Sequence, residues 1–361
     1  MEKILVISTM YPSRRHPSFG IFIRNHVQAL EKRGYQIDVA AVRDPRMNHW
    51  MIVKKYVVWF AKLFFIFLTK GKTYDLIHAH YVFPSGWAAR LFKKVFRQRI
   101  IVTAHGGDLN KMARKGAFFF KATKKTLHEV DHIVAVGEKL RSDMITNFNV
   151  PKEKITLLNM GVDRTIFKPM DKRSARQTLN VDLTAKVILY VGNLLEAKGL
   201  IELVAAFKDL KNIYPDIALY LIGEAKEPHF AQRLMTMIHQ ENVRGIQIHS
   251  SMNQQAIALW MNAADVLVIP SHTEGFGLVA LEAMACHTPV VGTHVGGLRY
   301  LLQDGAGLAV KPKQKTSLRW GLERVINDKH LQKDMLQRGE KRAREFDQER
   351  IVDQLTKLYH E

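Results

Sequence analysis

The sequence predicts an α/β protein with two Rossmann-like domains, each built on a doubly wound parallel sheet, that face a central cleft. Two domains are expected because 361 residues exceed what one ordinary core needs. Short β-branched runs alternate with amphipathic helical segments, which is typical of parallel sheets. The alternation pauses in a polar segment at residues 164–183 and then starts again. Ligands of such sheets bind beyond the carboxyl ends of the strands, so we expect the functional site there.

The first domain is predicted to span residues 1–163. Helical segments such as residues 21–32 and 85–96 have apolar side chains at helical spacing and separate runs rich in Val and Ile. The candidate strands are residues 4–8, 36–42, 76–78, 100–104, 132–136 and 155–158.

The second domain is predicted to span residues 164–345. Its polar opening, residues 164–183, is interpreted as a linker because it contains Pro169 and many charges. The candidate strands are residues 187–191, 218–222, 246–249, 266–269, 290–292 and 308–310. A last helix, residues 346–361, has Ile351, Leu355 and Leu358 at helical spacing and is expected to return to the first domain.

Composition indicates a folded protein of the cytoplasm. Hydrophobic residues make up 47% and charged residues 24% of the chain, which is typical of a folded soluble protein. Cys286 is the single cysteine, so an intramolecular disulfide is excluded and a reducing compartment is expected. The opening residues MEKILVIST lead directly into a strand, and we expect no secretory leader.

Positive charge is concentrated in the first domain. The net charge is +20, and residues 1–163 hold 28 Lys and Arg against 12 Asp and Glu, whereas residues 164–361 hold 26 against 22. The first domain therefore carries +16 of the excess. Such a field attracts polyanions, which include nucleic acid, anionic lipid and phosphorylated substrates.

Two apolar and basic segments of the first domain indicate contact with a membrane. Residues 50–68 are apolar but interrupted by Lys54, Lys55 and Lys62, so they are too charged for a spanning helix of about 20 apolar residues. Lys55 and Lys62 share one helical face, which favours a helix lying in a membrane interface. Residues 111–125 place three Phe among six Lys and Arg. The alternative, core helices with a solvated basic face, remains open.

The segment SHTEGFGLVALEAMA at residues 271–285 has the strongest chemical signal. It follows an apolar strand, and Gly275 and Gly277 allow the backbone to pass close to a ligand. A helix is expected to begin near Leu278, where free N–H groups favour an anion such as a diphosphate. Glu282 can accept two ribose hydroxyls, and Glu274 can reach a sugar or a leaving group.

Two further motifs follow strands. YVGNLLEAKGL at residues 190–200 has Gly192 at the strand end and Lys198 within reach of a phosphate. TAHGGDL at residues 103–109 places His105 at a strand end, followed by two glycines and Asp108. A surface lysine or a structural histidine is the alternative for each motif taken alone.

Together the three motifs resemble glycosyltransferase family 4, whose members have the two-domain GT-B fold and retain anomeric configuration. Agreement extends to DLIHAH at residues 75–80, LLNMGVDRTIFKP at 157–169, ADVLVIPS at 264–271, TPVVGTHVGG at 288–297 and GAGLAVKP at 305–312. The opening segment STMYPSRRHPSFGIFIRNHV is similar to members that build cell-wall or surface polysaccharides.

The resemblance implies a role for each matching position. His105 would contact the donor sugar near the reacting carbon, and Glu274 would act at the sugar as the second catalytic position. Asp108 and Arg24 are assigned to the acceptor side. The donor-binding positions that it implies are Gly20, Gly192, Asn193, Lys198, Gly223, Gly275, Phe276, Gly277, Leu278 and Glu282.

One departure concerns the diphosphate. The family usually has Arg where Asn193 stands, and Asn cannot bind a phosphate bidentately as Arg does. Weaker donor binding, or another cation in its place, is the expectation. The segment Leu298-Arg299-Tyr300 also replaces the usual Ile-Pro-Glu.

The sequence thus predicts a retaining glycosyltransferase that moves a sugar from a nucleotide-diphospho-sugar to a lipid-linked or saccharide acceptor near the inner face of the cell membrane. No D-x-D pair is found, so neither a metal nor another cofactor is expected. One alternative is a GT-B nucleotide-sugar epimerase. The other is a basic protein that binds anionic lipid or nucleic acid without transferase activity; a nucleic-acid partner is not expected because no base-reading module is recognised.

Overall fold

The computed structural model describes residues 2–46 and 48–361, without the side chains of His49, Asn110 and Lys111, and contains two six-stranded parallel sheets. All twelve predicted strands are present, with ends that differ by at most two residues. The strands are β1 Lys3–Ser8, β2 Gln36–Ala41, β3 Leu76–His80, β4 Arg99–Ala104, β5 His132–Ala135, β6 Ile155–Leu157, β7 Lys186–Val191, β8 Ile217–Ile222, β9 Ile246–His249, β10 Val266–Ile269, β11 Val290–Thr293 and β12 Leu308–Val310.

Helices connect the strands in both halves, so the predicted α/β alternation is confirmed. The helices are α1 Ile21–Lys32, α2 His49–Lys70, α3 Trp87–Phe96, α4 Ala117–Glu129, α5 Glu138–Phe148, α6 Lys172–Leu179, α7 Leu200–Ile213, α8 Pro228–Gln240, α9 Gln254–Ala263, α10 Leu278–Ala285, α11 Leu298–Leu302, α12 Lys315–Asn327, α13 Lys329–Glu345 and α14 Gln348–His360.

Each sheet is doubly wound and has one point where the strand order reverses. The first sheet has the order β2-β1-β3-β4-β5-β6, and its order reverses between β1 and β3. The second has the order β12-β11-β10-β7-β8-β9, and its order reverses between β10 and β7. The loops that follow such strands diverge and leave a crevice at the carboxyl edge, which is where ligands of open α/β sheets bind.

The chain forms two compact units. Unit 1 comprises Met1–Met160 together with Gln348–Glu361, and unit 2 comprises Gly161–Asp347. Helix α14 therefore belongs to unit 1. Its Asp353 accepts from the Arg33 guanidinium at 2.7 Å, and the Tyr359 carbonyl accepts from Arg99 at 2.8 Å.

The polar segment interpreted as a linker is in fact part of unit 2, which corrects the prediction. It contains helix α6, whose N-terminus is capped by Asp171 accepting from Ser174 N. Arg176 of this helix is buried, where its guanidinium donates to Asp265 at 2.8 Å and to the Ala263 carbonyl at 2.9 Å. The segment resembles a linker because helix α6 buries only the small Ala175 and the ion-paired Arg176, with no large apolar side chain.

Helix α2 turns Lys55 and Lys62 toward the protein and packs Trp59, Leu63 and Ile66 into the core, while most of its other large apolar side chains are exposed. Lys55 Nζ donates to the carbonyl of Arg46 at 2.8 Å, and Lys62 Nζ donates to that of Val39 at 3.0 Å. The prediction that Lys55 and Lys62 share one helical face is confirmed. The sequence did not predict that this face points toward the protein. No helix of the described residues is long and apolar enough to cross a membrane.

Candidate functional site

The loops that follow β7 and β10 lie side by side at the reversal point of the second sheet. The amide of His272 donates to the Ala197 carbonyl at 2.9 Å, which joins the two loops. His272 Nε2 also lies 2.9 Å from Glu202 of α7. The sequence motifs at residues 190–200 and 271–285 therefore form one site, although about 80 residues separate them.

Lys198 and Glu274 meet within this site. The Lys198 ammonium lies 2.7 Å from Glu274 Oε2, and both side chains are largely buried. Ser271 Oγ donates to the same oxygen at 3.1 Å, and the Gly275 amide donates to Oε1 at 3.2 Å. These three groups fix the carboxylate of Glu274 at the carboxyl edge of the sheet, with a positive charge directly beside it.

The amino end of α10 follows the same loop. Gly277 has φ +97°, a conformation that strains any side chain, and a Cβ there would lie 2.7 Å from Leu298. The chain can therefore begin α10 at Leu278 only with glycine at this position. At Gly275, by contrast, an added Cβ would meet no atom within 4 Å, so the loop borders open space. Exposed helix N–H groups beside open space can bind an anion.

Glu282 lies in the second turn of α10. Burial raises the pKa of its carboxyl group to about 7. No hydrogen bond or ion pair of this carboxylate is found within the described part of the chain. Its oxygens can therefore accept hydrogen bonds from the hydroxyl groups of a ligand. Both the neutral and the ionised carboxyl group are therefore accessible near neutral pH.

The ends of β7 and β8 complete the site in unit 2. Gly192 N donates to the Ile222 carbonyl at 2.9 Å, and the backbones of Gly192 and Gly223 are so close that a Cβ at Gly223 would collide with the Gly192 carbonyl. Tyr190 Oη donates to the Asn193 carbonyl at 2.9 Å and holds the loop where the family usually has Arg.

His105 follows β4 in unit 1. Its Nε2 lies 3.1 Å from His80 Nδ1, and its ring packs against Phe22 and Tyr81 with centroid distances of 5.0 and 4.8 Å. Burial lowers the pKa of His105 to about 3, so the imidazole is neutral at physiological pH. The ring can therefore contact a sugar as a neutral donor or acceptor but not as an imidazolium.

The other predicted residues of unit 1 have different environments. Gly20 begins α1 with φ +72°, and a Cβ there would lie 2.8 Å from the backbone of Met10. Arg24, one turn later, has a buried Nε without a hydrogen-bond partner among the described residues.

Asp108 has a structural role that the sequence did not suggest. It is buried, and its carboxylate accepts from the amides of Val82, Gly106 and Leu109 at 2.9 to 3.2 Å. Both oxygens are engaged in shaping the loop that carries His105. The geometry gives Asp108 a positioning function, and its assignment to the acceptor side stays a prediction.

Several residues of the site were missed. Ser271, which donates to Glu274, stands in the motif but gave no signal of its own. His26, His78 and His80 gather beside His105, and the alternation of His78 and His80 on one strand was the available sign, since such residues share a face. Nothing in the sequence indicated that His26 of α1 would join them.

The side chains of the two units suit two different kinds of ligand. Unit 2 combines a cation, helix N–H groups and two carboxylates, which suits a ligand with a diphosphate and several hydroxyl groups. Unit 1 presents a neutral histidine beside aromatic rings, which suits a sugar ring.

Comparisons with known proteins identify the family of the chain. The family described as "Glycosyltransferase Family 4" matches residues 20–165, and "Glycosyl transferases group 1" matches residues 171–342. An uncharacterized glycosyltransferase of Methanocaldococcus jannaschii is 30% identical over 291 residues, covering 80% of this chain and 75% of that protein. The putative teichuronic acid biosynthesis glycosyltransferase TuaC of Bacillus subtilis is 26% identical over 366 residues, covering 90% of each protein.

A solved structure supports the fold. Anabaena HepE, determined in complex with UDP-glucose, has a TM-score of 0.79 and 19% sequence identity, and the match covers 99% of both chains. Together with the two family matches, this likeness confirms the predicted GT-B fold.

Proposed function

The chain belongs to glycosyltransferase family 4, and from that premise we propose that it transfers a sugar from a nucleotide-diphospho-sugar to a membrane-proximal acceptor with retention of configuration. The observation that carries the proposal is the Lys198–Glu274 pair, held at 2.7 Å beside the amino end of α10. A cation, helix N–H groups and a fixed carboxylate at one crevice are the groups that a diphospho-sugar requires.

Unit 2 would bind the donor. The N–H groups at the start of α10 would receive the diphosphate, with Lys198 as the neighbouring cation. Glu282, four residues further along the helix, would accept two ribose hydroxyls. Glu274 would remain at the sugar and orient it. UDP-glucose in the HepE complex makes a uridine nucleotide the first donor to test.

We propose a same-face substitution as the chemical step. The bond between the anomeric carbon and the diphosphate oxygen breaks, the acceptor hydroxyl bonds to the same face, and the leaving diphosphate takes the acceptor proton. Lys198 and the α10 N–H groups would stabilise the negative charge that develops on the leaving group, usually the largest catalytic effect. Neutral His105 would hydrogen-bond the sugar near the reacting carbon. These groups would perform the reaction without a divalent metal.

The acceptor side is proposed to lie at a membrane because unit 1 has a continuous apolar surface. We call it the aromatic face. Rings connect α2 to α3 and α4, since Phe60 lies 6.4 Å from Trp87, Trp87 lies 6.1 Å from Phe83, and Phe83 lies 6.4 Å from Phe118. Its exposed members are Trp50, Val53, Val57, Val58, Phe60, Phe64, Phe65, Leu68, Trp87, Leu91, Val95, Phe118 and Phe120.

The size of this surface requires an explanation. Trp50 is 79% exposed, and Phe64 and Phe65 are 59% and 66% exposed. A cavity of about 420 Å³ between α2 and α3 continues the aromatic face and is lined by Phe60, Phe64 and Leu91 among others. Soluble monomers seldom expose contiguous apolar patches of this extent without a partner.

The charge around the aromatic face favours an anionic lipid surface as that partner. Exposed cations in or beside α3 and α4 are Lys94, Arg97, Arg114, Lys115, Lys121 and Lys125. Each Lys or Arg near an anionic membrane contributes about 1 kcal/mol, and the aromatic side chains add the burial of apolar surface. Peripheral attachment at the inner face of the cell membrane follows. With TuaC as a relative, we propose a lipid-linked saccharide acceptor used in surface polysaccharide synthesis.

The donor is tested first. Purified protein is titrated with UDP, GDP and ADP and with their glucose derivatives while the melting temperature is followed. A rise with one nucleotide and its sugar identifies the donor, and NMR of the glycoside formed gives the anomeric configuration. Inversion, or no response to any nucleotide, would contradict the proposal. Isomerisation of the donor sugar in the absence of acceptor would favour the epimerase alternative.

Membrane contact is tested by sedimentation with vesicles. We expect binding to vesicles that contain an anionic phospholipid, weaker binding to neutral vesicles, and no binding to duplex DNA at moderate salt. Binding to DNA but not to vesicles would instead support the nucleic-acid alternative.

A further inference from the structure

Three buried histidines of unit 1 converge near the reversal point of the first sheet. His78 and His80 are two residues apart on β3, so both side chains leave the same face of the sheet. His26 of α1 packs edge-on against both rings, at centroid distances of 5.2 and 5.3 Å. One ring nitrogen from each of the three lies within 4.8 Å of the other two.

Two of the three rings have buried nitrogens that no protein group satisfies. Among the described residues, neither nitrogen of His26 has a hydrogen-bond partner, and the same holds for Nε2 of His80. A buried polar atom left unpaired costs about 1–3 kcal/mol, so unpaired polar atoms that cluster in one place indicate a bound ligand. The proposed transfer reaction uses none of these three side chains.

We propose that His26, His78 and His80 bind a divalent transition-metal ion, with Zn²⁺ the best suited. Imidazole nitrogen is a common ligand of Zn²⁺, Cu²⁺ and Ni²⁺, whereas Mg²⁺ and Ca²⁺ prefer oxygen. No Cys, Asp or Glu of the described chain joins the cluster. Water or hydroxide would therefore complete the coordination, as in other sites with three histidines.

Small side-chain movements would suffice to form the site. Zinc–nitrogen bonds of 2.0–2.1 Å in tetrahedral geometry place the ligand nitrogens about 3.4 Å apart. His26 can turn without losing a hydrogen bond, because it makes none with the described residues. His78 would exchange one of its two hydroxyl contacts, Thr103 Oγ1 at 2.7 Å or Tyr359 Oη at 2.6 Å, for the ion.

The ion would also determine the tautomer of His105. With Nε2 of His80 on the metal, its Nδ1 carries the proton and donates to His105 Nε2, 3.1 Å away. A hydrogen bond from the second nitrogen is the usual support for a metal-bound histidine. His105 then carries its own proton on Nδ1. The tautomer of His105 affects the reaction only if His105 acts in it, so this consequence rests on the proposed function. The metal site itself does not, because metal binding does not require His105 to be catalytic.

Metal content is the first test. The full chain without a polyhistidine tag is stripped with a chelator, loaded with Zn²⁺, dialysed, and assayed by mass spectrometry of the element. We expect one ion per chain in the wild type and little or no retained zinc in His26→Leu and His80→Gln, because each variant removes one of the three ligands. His132→Gln is the matched control, because His132 lies in unit 1 outside the cluster and bonds Thr156 at 2.8 Å. Equal zinc in wild type and His26→Leu would overturn the proposal.

Thermal stability is the second test. The direction in which the melting temperature changes distinguishes a histidine cluster that binds an ion from one that does not. If no ion binds, His26→Leu removes an unpaired buried polar group, and the melting temperature stays the same or rises. If the ion binds, Zn²⁺ raises the melting temperature of the wild type and of His132→Gln but not of His26→Leu. Should His26→Leu not fold, chelator treatment of the wild type gives the same answer, since an unchanged melting temperature would reject the site. Neither readout requires transferase activity, so failure of the proposed function would leave both interpretable.

Discussion

The two units have the same sheet architecture but opposite surface chemistry. In unit 2, the reversal point between β7 and β10 is lined by glycines and by the ion pair of Lys198 and Glu274. In unit 1, the reversal point between β1 and β3 is lined by neutral imidazoles and aromatic rings. Both sheets are parallel and doubly wound but differ in strand order, and the loops and strand ends at their reversal points carry different side chains.

The outer surfaces differ in the same way. Unit 1 exposes the aromatic face across α2, α3 and α4, together with most of the chain's excess positive charge. The exposed large hydrophobic residues of unit 2, such as Met235 and Trp320, are separate from one another in the sequence. We propose that unit 2 binds the charged, soluble donor and that unit 1 binds an amphipathic partner.

The largest effect is expected at Glu274. Glu274→Ala removes both the carboxylate at the sugar and the partner of Lys198, so we expect kcat to fall on the order of 10³-fold. Turnover with the proposed donor measures it, and circular dichroism verifies folding. Glu241→Ala, which breaks a surface ion pair with Lys208 in the same unit, is the control and should retain activity. If Glu274→Ala turned over like the wild type, the proposed role of unit 2 in the transfer reaction would be contradicted.

His105 tests whether unit 1 takes part in the chemical step. His105→Ala should lower kcat by roughly 10²-fold with little change in donor KM, because one polar contact near the reacting carbon is lost. His132→Ala, in the same unit, should behave as the wild type. A change confined to KM would limit unit 1 to binding the acceptor.

The aromatic face is tested by replacing two exposed phenylalanines. The double variant Phe64→Ser and Phe65→Ser removes apolar surface worth about 1.5–3 kcal/mol for each fully buried ring. Because burial in a membrane interface is partial, we expect the affinity for anionic vesicles to fall at least roughly 10-fold. Trp320→Ser, at an exposed site of unit 2, is the control. An equal loss of vesicle affinity in the double variant and in Trp320→Ser would mean that the aromatic face is not the membrane-binding surface.

Glu282 gives donor binding a pH dependence. Ribose hydroxyls donate to the ionised carboxylate, and burial raises its pKa to about 7. Donor KM should therefore fall as the pH rises from 6 to 8, by up to about 10-fold, and level off above the pKa. Glu282→Gln should have a higher KM that no longer varies over this range. If the donor KM of the wild type rose with pH, the assignment of Glu282 as the ribose-binding carboxylate would be contradicted.

The smallest effect concerns the missing cation at position 193. Asn193→Arg places a guanidinium where the family usually has one, and we expect donor Kd to fall roughly fivefold, or about 1 kcal/mol, from a charged hydrogen bond to phosphate. Asn193→Gln is the neutral control of similar shape. An unchanged Kd in Asn193→Arg would indicate that another cation already serves the diphosphate.

The sheets were predictable from the sequence because their inner strands are buried on both faces. Runs such as Val266–Ile269 are apolar throughout, which is typical of parallel strands. Helix α6 was not predicted because it buries only the small Ala175 and Arg176, and Arg176 is neutralised by Asp265, nearly 90 positions away. A local pattern cannot reveal a partner so distant in the chain.

The candidate site was predictable in part. The residues of α10 and its preceding loop could be located because the turn requires glycine at Gly277 and the chemistry requires acids at fixed spacing. The roles of Asp108 and His80 could not, because each depends on which atoms surround a side chain after folding. The inward direction of Lys55 and Lys62 likewise depends on carbonyl groups of β2 and of the segment that follows it, which the sequence of α2 does not contain.

Helix α14 has a consequence for biosynthesis. Unit 1 is discontinuous, since α14 follows the whole of unit 2 in the chain, whereas unit 2 is one uninterrupted segment. On the ribosome, unit 2 is therefore complete before unit 1 receives the helix that bonds Arg33 and His78. The usual order, in which the N-terminal domain folds first, is reversed for the final step of folding. During that interval the nascent chain already exposes α2, so a membrane surface could engage it before the enzyme is complete.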